Sequence, residues 1–144
     1  MGKNINYEGK AGNGQHTKMC NQIAIAGALA GACEAMVYAK NTGLDVDTML
    51  KCISTGAAGS AQMNNVASKA AKDDYAPGFF VEHFIKDLGL CLEECKRMGL
   101  VLPGVALAEQ VYRMAQAQGH GKDGTQVLLQ VLAELSGKQW RAHA

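Results

Sequence analysis

Aromatic residues are scarce in this 144-residue chain, at 6% of positions with a single tryptophan, Trp140, and proline occurs only twice. A core with so few rings must be filled by Ala, Leu, Val, Ile and Met, and that mix in long Pro-free stretches favours helices. A length of 144 residues is enough to bury roughly 68–70% of the unfolded surface without a metal or a disulfide. Charge of one sign is also lacking: fourteen basic against thirteen acidic side chains leave a formal charge of +1. No cluster of Lys or Arg is dense enough to follow a phosphate backbone, so nucleic acid is not an expected partner. Cys20, Cys33, Cys52, Cys91 and Cys95 form no CxxC pair. Their odd number, without a secretory signal, points to a reducing compartment, the cytoplasm or the mitochondrial matrix of a eukaryote.

One long apolar run is present, at residues 23–39, interrupted only by Glu34. It contains Gly27 and Gly31 at GxxxG spacing, but it is Ala- and Gly-rich rather than Leu-rich, so a buried helix with a small-residue face is expected and no membrane span.

The pattern predicts an all-α chain, a single bundle domain of about six helices with a long first helix. Ile5 and Tyr7 alternate as in a brief strand without a partner. The first helix is expected over 14–40, ended by Asn41, Thr42 and Gly43. A second, capped by Asp45 or Asp47, runs to about Ser54, and a third, capped by Ser60, to about Lys72. Pro77-Gly78 breaks the chain before a fourth over 81–98, whose apolar stripe is Phe84, Leu88, Cys91, Leu92 and Cys95. Pro103 opens a fifth, which runs through Val105, Leu107, Val111 and Met114 to about Gln118. The last, capped by Asp123 or Thr125, reaches about Ser136 and is expected to bury Val127, Leu128, Val131, Leu132 and Leu135. Trp140 is left to dock on this domain or on a neighbour.

Chemistry concentrates in the segment 12–22, where Gly12 and Gly14 open the long helix and Lys18 and Asn21 share one face. It is not a dinucleotide-binding GxGxxG: Thr17 stands where the third glycine should be, and the acid at the right distance, Glu34, lies inside a helix. A lysine one turn into a helix sits near the positive end of the macrodipole, which disfavours its charged form, and partial burial by a substrate would ease proton release further. Asn21 could hold a substrate hydroxyl or carboxylate. Spacing alone favours a solvated Lys18 and a polar boundary position at Asn21. His16, His83 and the Cys91/Cys95 pair form an incomplete ligand set, so no metal is expected.

The pattern Gly12-x-Gly14-x-x-x-Lys18-x-x-Asn21-Gln22 resembles the catalytic segment of the β-hydroxyacid dehydrogenases, the 3-hydroxyisobutyrate dehydrogenase and tartronate semialdehyde reductase group. Glu34-Ala35-Met36, Gly43-Leu44-Asp45, the loop Gly56-Ala57-Ala58-Gly59-Ser60, Pro77-Gly78-Phe79, Lys86-Asp87-Leu88 and Leu102-Pro103 are similar to its later signatures, in order. The resemblance implies a helical domain like the C-terminal domain of 6-phosphogluconate dehydrogenase, separated here from an N-terminal Rossmann domain. Gly2-Lys3-Asn4-Ile5 resembles the family's stretch before the glycines, so Met1 is read as internal to a longer enzyme or as the start of a piece of it.

The implied activity is hydride exchange between NAD or NADP and a small hydroxy acid or semialdehyde. Lys18 would be the proton donor and acceptor, with Asn21, Gln22 and Gly14 on the substrate and Gln22 in a supporting role. Lys86 would reach the cofactor or substrate, Asp87 would orient Lys86 or cap locally, and Phe79 and Ser60 would line the cleft. The domain's own Rossmann domain, the hydroxy acid and a second subunit, in a homodimer or higher oligomer, are the implied partners. A non-catalytic helical dimerisation module and an imine reductase share this fold, but the presence of Lys18 argues against both.

Overall fold

The structure, a computed structural model, describes residues 5–140. Met1 to Asn4, part of the stretch before the glycines, and His143 lie outside those residues. Six helices follow one another: α1 Asn13–Asn41, α2 Val46–Ile53, α3 62–70, α4 Val81–Met98, α5 Pro103–Ala115 and α6 Leu128–Leu135. The fold is all-α, as predicted. No strand forms among the described residues; Ile5 and Tyr7 are 79% and 92% exposed in irregular backbone, with no neighbouring strand to pair with.

Local chemistry sets most helix ends. Gly12, at φ 94°, turns the chain into α1 in a left-handed conformation that suits glycine, and its carbonyl accepts from Gln15 and His16. At the far end the Thr42 hydroxyl donates to the Ala39 carbonyl, and Gly43, at φ 82°, leads the chain away. Asp45, not Asp47, caps α2 by accepting from the Thr48 amide at 2.8 Å. The Ser60 hydroxyl accepts from the Met63 amide at 3.0 Å as α3 begins, first as a π-helical turn Gln62–Ala67 and then as one α turn Ser68–Ala70. Helix α4 has the predicted bounds and ends at Gly99, and Pro103 occupies the first turn of α5.

The predicted cap of the last helix does not form. Asp123 lies 2.7 Å from His120 Nδ1 instead, Gly124 precedes a 3-10 turn Thr125–Val127, and α6 continues from that turn. Helix α5 passes after Ala115 into a π-helical turn, Gln116–His120, and Gly119, at φ 95°, breaks the helix just past Gln118, as expected.

Helix α1 is long and apolar enough to cross a membrane, judged by length and composition alone. In the fold it is the central helix, touched by all five others. Leu29, Cys33 and Met36 on α1 are fully buried against Phe84 and Leu88 of α4, Tyr112 of α5 and Leu128, Leu129 and Val131 near or on α6. Each such apolar side chain contributes about 1.5–3 kcal/mol by leaving water. The rings of Phe84 and Tyr112 meet edge to face at 5.0 Å, and the buried Tyr112 hydroxyl donates to the Thr125 carbonyl at 3.0 Å.

Of the last two helices, α6 departs from its expected buried face. On α5 the inward row is Val105, Ala108, Tyr112 and Ala115, while Leu107 and Met114 are exposed. The large Tyr112 seats between α1 and α4 and fixes the rotation of α5, turning the aliphatic side chains outward. On α6, Leu135 is 55% exposed and Leu129 takes a core position. Trp140 docks on this domain, with Lys40 Nζ 4.7 Å from its ring centre.

Candidate active site

Where α1 crosses α4, four polar side chains join. The apolar row of α4 runs through Phe84, Leu88, Cys91 and Cys95, and Asp87, three residues past Phe84, sits on its edge facing α1. Its Oδ1 lies 3.3 Å from Lys18 Nζ, and its Oδ2 accepts from Gln22 Nε2 at 2.7 Å. Gln22 Oε1 in turn accepts from Asn21 Nδ2 at 3.0 Å. The chain therefore reads Asn21 to Gln22 to Asp87, with Lys18 on the other carboxylate oxygen. Gln22 is 6% exposed and could not remain buried without such partners. Lys18 keeps 59% of its side chain open to solvent against 12% for Asp87, so a buried-edge carboxylate anchors an ammonium still accessible to a ligand.

Asp87 thus serves Lys18 and Gln22, correcting the expectation that it orients Lys86 or caps locally. Adjacent positions on a helix point about 100° apart, so Lys86 projects outward, exposed, while Asp87 turns in.

Lys18, Asn21, Gln22 and Asp87 border a cavity of about 350 Å³. Another wall is Phe79 and Phe84, which meet edge to face at 5.9 Å. The segment carrying Phe79 is held by backbone pairing with residues 121–125: Gly124 donates to the Tyr75 carbonyl, Thr125 to Phe79, Val81 to Asp123 and Glu82 to Gly121. The buried Gln126 amide donates to the carbonyls of Asp74 and Ala76 at 3.1 and 3.0 Å. A Cβ at Gly124 would run into that Gln126 side chain and push it off these carbonyls, so glycine suits the position. These bonds fix Phe79, 38% exposed, at the cavity edge.

The structure brings together Lys18, Asn21, Gln22, Asp87 and Phe79 of the predicted residues. Gly14, in the first turn of α1, Ser60, spent on capping α3, and Lys86 do not line the cavity. Sequence reading missed Gln62, Asn65 and Lys69 of α3, which face the cavity. Their spacing of three and four residues, alternating with the buried Met63, Ala67 and Ala70, was the available signal. Cys91 is buried and its thiol is pushed up by that burial, and among the described residues no three His, Cys, Asp or Glu side chains converge as a metal site.

The sequence matches, over residues 12–132, the family described as the NAD-binding domain of NADP-dependent 3-hydroxyisobutyrate dehydrogenase. The chain belongs to that family. It is 52% identical over 126 residues to the uncharacterised oxidoreductase YkwC of Bacillus subtilis, covering 88% of this chain and 44% of that protein. To the probable 3-hydroxyisobutyrate dehydrogenase-like 1, mitochondrial, of Arabidopsis thaliana it is 51% identical over 136 residues, covering 94% and 40%. Among solved structures, 3-hydroxyisobutyrate dehydrogenase of Salmonella typhimurium superposes with a TM-score of 0.79 at 28% identity, covering 83% of this chain and 42% of that one. The Mycobacterium tuberculosis 3-hydroxyisobutyrate dehydrogenase, in a structure titled with L-serine, gives 0.79 at 26% identity, covering 89% and 46%. The chain spans less than half the length of these relatives, and the part it matches is their C-terminal helical domain.

Proposed function

We propose that this chain is the substrate domain of an NAD(P)-dependent hydroxyacid dehydrogenase, with Lys18 as its proton donor and acceptor. The observation that carries the reading is the linked set Lys18, Asp87, Gln22 and Asn21 at the edge of a cavity. A carbonyl oxygen that receives hydride on its carbon becomes an alkoxide and needs a proton at that moment. On this reading the Lys18 ammonium, held by Asp87, gives it and, in the reverse direction, takes it back. Asn21 has one amide hydrogen and its carbonyl oxygen left after bonding Gln22, enough to hold a substrate hydroxyl or carboxylate.

The bound dinucleotide supplies the hydride. The described residues fit only its reacting end: Phe79 offers a partly exposed ring on the cavity that Lys18 also lines, whereas no Gly-rich strand-to-helix turn is present to cradle its phosphates. Those contacts belong, on this reading, to an N-terminal Rossmann domain, and Lys86, exposed on α4, is assigned to the same approaching partner. The test is Lys18→Ala in the full-length enzyme, with kcat/KM for a small hydroxy acid expected to fall about 100- to 10,000-fold. A loss under threefold would refute the assignment.

The same reading includes self-association along the outer face of α1. Ala24, Gly27, Gly31, Glu34 and Tyr38 lie exposed there at three- and four-residue steps, the first three small enough for close helix approach. Light scattering that shows only monomer at high concentration would contradict it.

A further inference from the structure

The polar groups around the cavity divide into those already committed and those left over. Lys18 and Gln22 are bound to Asp87, Asn21 to Gln22, and Gln126 to two backbone carbonyls. Gln62, Asn65 and Lys69 make no side-chain hydrogen bond or ion pair among the described residues, and all three line the cavity from α3. The charges divide the same way: Asp87 neutralises Lys18, and the cavity's remaining ionic side chain is the Lys69 ammonium. The helix that presents them opens with a π-helical turn, a departure from α geometry found often at functional sites.

We propose that Lys69, flanked by Asn65 and Gln62, is an anion subsite that receives the carboxylate of the substrate while its hydroxyl or carbonyl lies at Lys18. This rests on the reaction proposed above and extends it. The enzyme selects acids over neutral alcohols because an uncompensated cation stands on the wall formed by α3. Specificity is thereby set on α3, apart from the proton-transfer group on α1.

The test uses full-length enzyme and the three compounds named by its relatives' activities: 3-hydroxyisobutyrate, L-threonate and 2-hydroxy-3-oxopropionate. The acid used best is compared with its primary amide. Lys69→Met is expected to raise KM for the acid about 10- to 100-fold, with kcat changed less than threefold and the amide's KM unaffected. Lys69→Arg should restore most of the acid's affinity, which a merely structural role would not. Unchanged KM for the acid, or equal loss for acid and amide, would overturn the proposal. So would a rise confined to KM for the dinucleotide, which would assign Lys69 to a cofactor phosphate. Failure to use any acid, or full activity in Lys18→Ala, would refute the underlying reaction instead. Lys69 is exposed, and matching circular dichroism of the variants excludes misfolding as the cause.

Discussion

Replacing Asp87 by Asn and by Ala separates its two bonds. The Coulomb attraction across 3.3 Å to Lys18 has a ceiling of about 5 kcal/mol at an effective dielectric constant of about 20. Because the Lys18 side chain is 59% exposed, solvent screening and side-chain entropy reduce its net worth to about 0.2–1 kcal/mol. The bond from Gln22 differs, since it is charge-assisted, 2.7 Å long and made by a donor 6% exposed. Its loss costs about 1.5–3 kcal/mol, including the desolvated amide left without an acceptor. Asp87→Asn keeps the shape and an acceptor oxygen, so it should destabilise by about 1–2 kcal/mol. Asp87→Ala should cost about 2–4 kcal/mol, more than Asp87→Asn under the same conditions. Urea unfolding followed by fluorescence of the buried Trp140 measures both. Equal losses, or a neutral Asp87→Ala, would show that Asp87 does not hold Gln22 and that the linked set does not exist.

Other outcomes follow from burial. Tyr112→Phe leaves the Thr125 carbonyl without its donor and should cost about 1–3 kcal/mol; no change in the urea midpoint would contradict the bond. Gly124→Ala forces Gln126 off the carbonyls of Asp74 and Ala76, and should destabilise by more than about 2 kcal/mol while loosening the Phe79 segment. Amide exchange at Thr125, which donates to Phe79, would rise; unaltered protection would count against it. Burial pushes the Cys33 thiol above its ordinary value of 9.0, so the unfolded chain ionises first as pH rises. Stability is therefore complete below pH 9.0 and falls above it, by up to about 1.4 kcal/mol per pH unit for each such group. Cys91 and, above pH 10.0, Tyr112 add to the same trend. Cys33→Ala should flatten the decline, and an unchanged slope would refute this origin.

Helix ends were legible because they rest on residues with local effects: Asn41-Thr42-Gly43, Asp45, Ser60, Pro77-Gly78 and Pro103 act within one turn. The common face of Lys18 and Asn21 was legible for the same reason. The partner of Asp87 was not, because it depends on how α4 crosses α1, sixty-nine residues away from Lys18 in sequence. The buried face of α5 was not legible, because Glu109, 4% exposed, lies inward with Arg113 and Gln110 as partners, a placement that periodicity of apolar residues excludes. Gln126 illustrates the same limit, since its burial is permitted only by two carbonyls about fifty residues back.

Chemical rescue of Lys18→Ala in the full-length enzyme tests the central claim most directly. With the lysine shortened, added primary amines should restore turnover of the hydroxy acid in proportion to concentration, with rates following amine basicity as proton transfer requires. Rescue absent for every amine that fits a cavity of about 350 Å³, or independent of amine basicity, would contradict a proton carried by Lys18.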